Sequence, residues 1–409
     1  MEHAASGGWG VMNNARAQST AAIAAPPSDA GLIADVTGDL RVARYDAATI
    51  PTQLAERSLA LAGQFAAHPS LTLPWNLHAA ESAGVKNELR VAELTNSQGA
   101  AVAYVAYLES SVSMFGIGVR MRETPGNRLA AYYNGLVAAP AYAPRLLDAL
   151  AAQDAGRCDV LQFPAIAIDS TTHQLLESTA AARGWRMIRY PSFRSPFLEL
   201  RGSWQEFLDS KSQNFRYNLK RKRKGIAKAG RMDERWYGDA ASVPELIKSI
   251  HAIEEGSWKT RAGMAITDNQ RELAYHDLLL PWLASIGALV ANVLLLDDAP
   301  IAYSLCVNWH GHVGQLKTSF DERASQLSPG LVVTASSIEH AFAAGATEFD
   351  FLGDAMPHKM HWTESVRAHE NIFAFLPTAR GALLGRLKKL LLAVRAPGGP
   401  NTVGRTAWK

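Results

Sequence analysis

The stretch SPGLVVTASSIEHAFAAGATEFDFLGDAMPHKMHW, residues 328–362, decides the fold. Ser328 can cap a helix, Pro329 suits the first helical position, and Gly330 lets a ligand approach the backbone. Leu331, Ala335, Ile338 and Phe342 then recur at i, i+4, i+7 and i+11, which predicts a helix over 329–344 with one face on a sheet. Residues 347–352 follow as a strand in which Asp350 sits among the apolar Phe349, Phe351 and Leu352. Gly353 and Asp354 begin a loop just past its end.

Upstream, residues 289–296, 301–309 and 313–320 read as strands, the first two joined by the turn Asp297-Asp298-Ala299-Pro300. Three strands, a helix and a strand make an α/β unit whose hairpins leave part of the sheet antiparallel, so the fold is mixed and not doubly wound. The first half repeats that order. Strands at 88–96, 101–109 and 113–121, separated by Ser97-Gln98-Gly99 and Ser110-Ser111, precede a helix at 143–153, a strand at 159–163 and a helix at 172–183. No residue-level repeat accompanies this, so only the architecture is duplicated.

A chain of 409 residues, 48% hydrophobic and 19% charged, has material for two cores. The expected division is a flexible tail over 1–35, a lobe over 36–205, a lobe over 206–377, and a basic amphipathic helix with tail over 378–409. Residues 1–35 lack an apolar run of secretory length. The uncharged run 278–296 is cut by Pro281, Gly287 and Asn292, which favours a soluble helix followed by a hairpin over a membrane span. Cys158 and Cys306 form no disulfide or zinc spacing. A cytoplasmic protein is expected.

Charge is concentrated at the junction of the lobes. Residues 211–228, KSQNFRYNLKRKRKGIAK, hold eight Lys or Arg and no acid. Phe215, Leu219 and Ile226 share one helical face, so the segment reads as a docked helix with cations around it. Its cations either only hydrate or attract a phosphate-bearing group such as coenzyme A, a nucleotide-sugar or tRNA.

Three stretches resemble a known family: SKSQNFRYNLKRKRKGIAKAG from Ser210, SWKTRAG from Ser257, and the 328–362 stretch. They are similar to the tandem-lobed acetyltransferases of the GNAT superfamily, grouped with the cellulose-biosynthesis type and distantly related to the Fem-type aminoacyltransferases. The likeness spans about residues 40–375 and is diffuse in the first half, beginning near LPWNLHAAE at Leu73. It implies two tandem GNAT-like lobes and transfer of an acyl group from acyl-CoA, acetyl-CoA above all, to a small-molecule or saccharide amine. The general superfamily cradles the donor diphosphate with Gln/Arg-x-x-Gly-x-Gly/Ala. Here Gln326, Ser328, Pro329, Gly330 and Leu331 stand in that place, a departure that leaves aminoacyl-tRNA as an alternative donor.

Asp350, buried by its strand, needs a partner or serves as a proton acceptor. Asp354 is the preferred general base, since sites collect where strands of α/β sheets end, and a carboxylate raised by burial can take the amine proton. The resemblance assigns Lys359 and Trp362 to substrate binding, and gives Trp258 and Arg261, just after a helix at 244–255, an acceptor wall and an anion contact. His310 with His312, and His358 with His361, lack a carboxylate that would complete a helix-borne ligand set, so no metal is expected. His358 is the alternative base.

Two other functions compete: tRNA-dependent aminoacyl transfer, and non-catalytic binding of nucleic acid or anionic lipid on a degenerate scaffold. The last helix, 380–395, sets Leu383, Leu384, Leu387, Leu390, Leu391 and Val394 against Arg386, Lys388, Lys389 and Arg395. Such a helix either lies on an anionic membrane at the inner face or docks on its own lobe.

Overall fold

The computed structural model describes residues 40–65, 67–126, 133–153, 158–257 and 270–394. Trp258 and Arg261 therefore lie outside the described residues. In the first half the elements are β1 (Arg41–Asp46), α1 (Gln53–Gln64), α2 (Leu73–Ala83), β2 (Leu89–Thr95), β3 (Ala101–Met114), β4 (Ile117–Glu123), β5 (Val137–Ala138), α3 (Ala143–Ala151), β6 (Val160–Ala167), α4 (Thr171–Arg183) and β7 (Arg186–Glu199). The second half carries α5 (Trp204–Ser210), α6 (Gln213–Ala229), β8 (Met232–Tyr237), α7 (Val243–Glu255), α8 (Gln270–Ser285), β9 (Leu289–Leu296), β10 (Ala299–Trp309) and β11 (His312–Phe320). It ends with α9 (Pro329–Ala343), β12 (Glu348–Asp350), α10 (Pro357–Met360), β13 (Val366–Phe375) and α11 (Ala379–Val394).

The expected mixed α/β fold is the one observed. One sheet runs in the order β1-β2-β3-β4-β6-β13-β7-β12-β11-β10-β9-β8, with β5 added on β3. From either end it reads as a four-stranded meander followed by a parallel pair, β4 with β6 and β11 with β12. The centre is shared. Residues 186–196 of β7 pair with β13, and residues 197–199 pair with β12, so one strand serves both halves. The boundary expected at residue 205 crosses this sheet, since β13 comes from beyond it and pairs with β6 and β7.

The turn expected at Ser110-Ser111 is displaced. Those serines pair regularly with Met121 and Arg120, and the chain reverses at Phe115-Gly116, with φ of 54° and 75°. A two-residue hairpin turn needs left-handed backbone at both positions, and glycine supplies the second without strain. Asp297-Asp298 turns the β9–β10 hairpin in the same way, with φ of 49° and 65°.

Helices α1 and α2 bury their apolar faces against α7, α8 and strands of the second half, in one continuous core. Trp75, fully buried, meets the rings of Tyr275 and Trp282 edge-on at 6.4 and 6.2 Å. The opposite face of the second half's sheet is covered by α5, α6 and α9. Leu219 and Ile226 anchor α6 there and Phe215 packs beside them, as the stripe predicts. Helix α11 docks on β7 and β13: Leu384 is buried and Gly385 packs on Arg186 and Phe375, while Leu383 and Leu390 stay exposed. Among the described residues no helix is long and apolar enough to cross a membrane.

Candidate functional site

The parallel pair β11·β12 is short. Only His312, Gly314 and Val313 face partners on β12. Beyond Asp350 the chain leans toward β7, with Phe351 N–H donating to Pro196 O at 3.0 Å. Strand β11 runs on through residues 315–320 with β10 alone, so a gap opens between the two strands at their C-terminal ends. Helix α9 begins on that side, because it follows β11 and returns the chain to the start of β12.

Ser328 does not cap α9. It follows the 3-10 turn Glu322–Leu327 at φ 54°, its carbonyl accepts from Leu331 N–H at 3.1 Å and its hydroxyl makes no capping bond, so no side chain closes the Gly330 amide. Pro329 is buried and Leu331 half-buried. A Cβ on Gly330 would stand 3.2 Å from the Phe320 ring, so this glycine permits close packing of α9 on β11 as well as access to its own backbone. Gln326 is exposed, and its carbonyl accepts from Lys222 Nζ at 3.2 Å. Helix α6 lies along α9, with Arg223 paired to Glu339 at 2.8 Å, and Lys222 is thereby set beside the helix start. An N-terminal helix dipole with a neighbouring ammonium is a setting for phosphate. The basic segment marked this region in the sequence, but nothing in it singled out Lys222.

Across the gap, Asp350 is buried and fully partnered. It accepts from Ser195 Oγ at 2.5 Å, Leu352 N–H at 2.7 Å and Arg367 at 3.1 Å. Burial pushes its carboxyl up, against those bonds. Arg367 also forks onto Glu348 at 3.1 and 2.8 Å. Burial would raise Glu348, but His312 and Arg367 outweigh it and hold the carboxyl at about 2. Asp350 thus ties β12 to β7 and β13.

The exit loop is strained. Leu352 and Gly353 take φ of 50° and 60° in succession. Lys359, on α10, donates its Nζ to Leu352 O, and burial depresses its ammonium pKa. Asp354, preferred as a base on the expectation of burial, is exposed beside this loop; the burial falls on Asp350. His358 is exposed as well. Trp362 is a core residue, 2% exposed, edge-on to Phe215 at 5.2 Å, with its carbonyl taken by Lys211. Among the described residues no group of three or more His, Cys, Asp or Glu could hold a metal ion.

Similar structures span most of the chain, whereas the family match falls on the second half. Structures of similar fold include FemX, at 12% identity and TM-score 0.56 over 84% of this chain and 99% of that one. Another is the C-terminal domain of a protein described as a lysylphosphatidylglycerol synthetase from Agrobacterium fabrum, at 13% identity and TM-score 0.51 over 83% and 96%. At such identities the likeness is one of fold. No curated protein matches the chain in sequence. Residues 213–360, which hold α6, β8–β12, α9 and α10 with the gap among them, match the acetyltransferase (GNAT) domain family.

Proposed function

We propose that this protein is an N-acyltransferase that moves an acyl group, acetyl above all, from acyl-CoA to an amine, with an amino sugar of a polysaccharide precursor as acceptor. The observation that carries the reading is the gap between β11 and β12, opening beside a helix start that no side chain caps and that Lys222 flanks. These features suit a diphosphate, so the Gly330 amide of α9, with Lys222, would hold that part of the donor. The bound donor supplies the thioester that the amine attacks. Asp354 takes the proton released by the amine, directly or through one water. Lys359 binds substrate while it holds the Leu352–Gly353 turn. Exposed Leu383 and Leu390 on α11, beside Arg386 and Lys389, suit peripheral contact with an anionic bilayer at the inner face.

The test is thiol release from acyl-CoA by purified protein across a panel of amines. Release that requires both protein and amine supports the reading. A second reading, aminoacyl transfer from charged tRNA, draws on Tyr217, 66% exposed among the exposed Lys220, Arg221 and Lys224 of α6. Nuclease treatment abolishes that activity and spares a CoA-dependent one. Salt-sensitive binding without turnover would instead indicate a non-catalytic binder.

A further inference from the structure

Between the two halves lies a cavity of about 100 Å³, walled by His68, Tyr133, Trp309, His312 and Glu348. His68 opens the short turn Pro69–Leu71, where the Ser70 N–H donates to its Nδ1 at 3.1 Å. A backbone N–H can only donate, so the imidazole keeps its proton on Nε2. Burial, with His312 nearby, holds the ring's pKa at about 3, so it is neutral. His68 Nε2 is buried without a hydrogen-bond partner among the described residues, and so is Trp309 Nε1. Both are donors. A Cβ on Gly314 would stand 3.7 Å from His68 Nε2, which places that N–H over the surface of β11.

Two buried donors left unmatched are costly, and an oxygen that accepts from them removes that cost. The wall also includes Glu348, whose carboxylate is paired with Arg367 and keeps lone pairs for a further donor. An ammonium cannot accept from the two N–H groups, and an apolar group leaves them unmatched. A hydroxyl accepts from them and donates to Glu348. The volume corresponds to about three water-sized groups, at roughly 30 Å³ each, and the Tyr133 and Trp309 rings offer apolar walls to the carbons that carry the hydroxyls.

Along β12, Glu348, Asp350 and Leu352 point to one side of the sheet. The cavity therefore lies on the same face as the Leu352–Lys359 loop and close to it, since a Cβ on Gly314 would stand 3.3 Å from the Leu352 side chain and 3.7 Å from His68 Nε2. We propose that this cavity is a hydroxyl-reading subsite for a saccharide acceptor, built by His68, Trp309 and Glu348 from both halves of the chain. The proposal deepens, and rests on, the N-acyltransferase reading.

Saturation-transfer NMR and titration calorimetry with glucosamine, N-acetylglucosamine and cyclohexylamine test it. The expected result is that both sugars bind and cyclohexylamine does not, and that Trp309→Phe, which keeps a ring but loses the N–H, weakens sugar binding about three- to tenfold. Gly314→Ala, which adds a methyl in front of His68 Nε2, weakens it too and serves if Trp309→Phe does not fold. Equal binding of cyclohexylamine, or unchanged sugar affinity in folded variants, overturns the proposal. Thiol release from acyl-CoA with other amines but no sugar binding sinks the subsite and leaves the enzyme; sugar binding as stated without any thiol release sinks the enzyme and leaves the subsite.

Discussion

The two parallel pairs, β4·β6 and β11·β12, hold the same place in the repeat and pair over three residues each, yet one is closed and the other open. Strand β4 ends with its pairing at Glu123, and the chain comes back to fill the place beyond. Asn134 donates to Pro164 O at 2.6 Å and to Thr124 at 3.0 Å, a Cβ on Gly126 would fall 2.6 Å from Pro164, and β5 joins β3. Buried Arg122 donates to Leu150 O and Ala152 O at 2.7 and 2.8 Å, and α3 starts on Tyr142, 2% exposed. In the second half β11 outruns its partner by six residues, and α9 starts on the half-buried Ser328. The same strand order can thus be sealed by its own side chains and backbone or left open.

The largest expected effect concerns the arginine at each pair. Arg367→Met leaves Glu348 and Asp350 buried without their cation and should cost about 3–5 kcal/mol in urea denaturation. Arg122→Met leaves carbonyls of the α3 terminus and one carboxylate short of a donor, a loss of about 1–3 kcal/mol. Equal costs would mean that the paired carboxylates do not distinguish the open half. Asp354→Asn should lower acyl transfer about 100-fold with donor binding intact, and unchanged turnover would move attention to Asp350 or His358. Lys222→Glu should weaken acyl-CoA binding about tenfold in calorimetry, whereas Arg145→Glu, exposed at the start of α3, should leave it unchanged. Equal effects of the two would erase the contrast. The smallest effect near neutral pH is that of Glu348. Its folded pKa lies at about 2, below the ordinary 4.5 of a glutamate, so its contribution is present above pH 4.5 and is lost as pH falls toward 2. The stability difference between wild type and Arg367→Met should stay flat from pH 8 to 5 and narrow below 4.5.

The second half was legible where local pattern and tertiary role agree. Leu331, Ala335 and Ile338 announce α9, and β9 to β12 follow in the order read from the chain, with ends shifted by a residue or two. Strands β7 and β13 were not legible. Pro191 and Pro196 break the strand pattern of β7, and the structure uses them where pairing is irregular: Pro191 opposite Glu370 at a register shift, Pro196 where β7 passes from β13 to β12. The candidate site was legible as two loops, Ser328–Leu331 and Asp350–Lys359, which the structure sets at the ends of β11 and β12. Arg367, Ser195, His68 and Trp309 carried no local signal, because their roles arise from pairings across distant parts of the sheet.

The most direct measurement is hydrogen–deuterium exchange with and without a non-hydrolysable acyl-CoA. Slower exchange should appear in residues 315–332 and 350–356, around the open pair, and be absent from residues 120–126, 133–145 and 158–164, around the closed one. Protection of the first-half segments instead, or no protection in either half at saturating ligand, would contradict the assignment of the donor to the gap between β11 and β12.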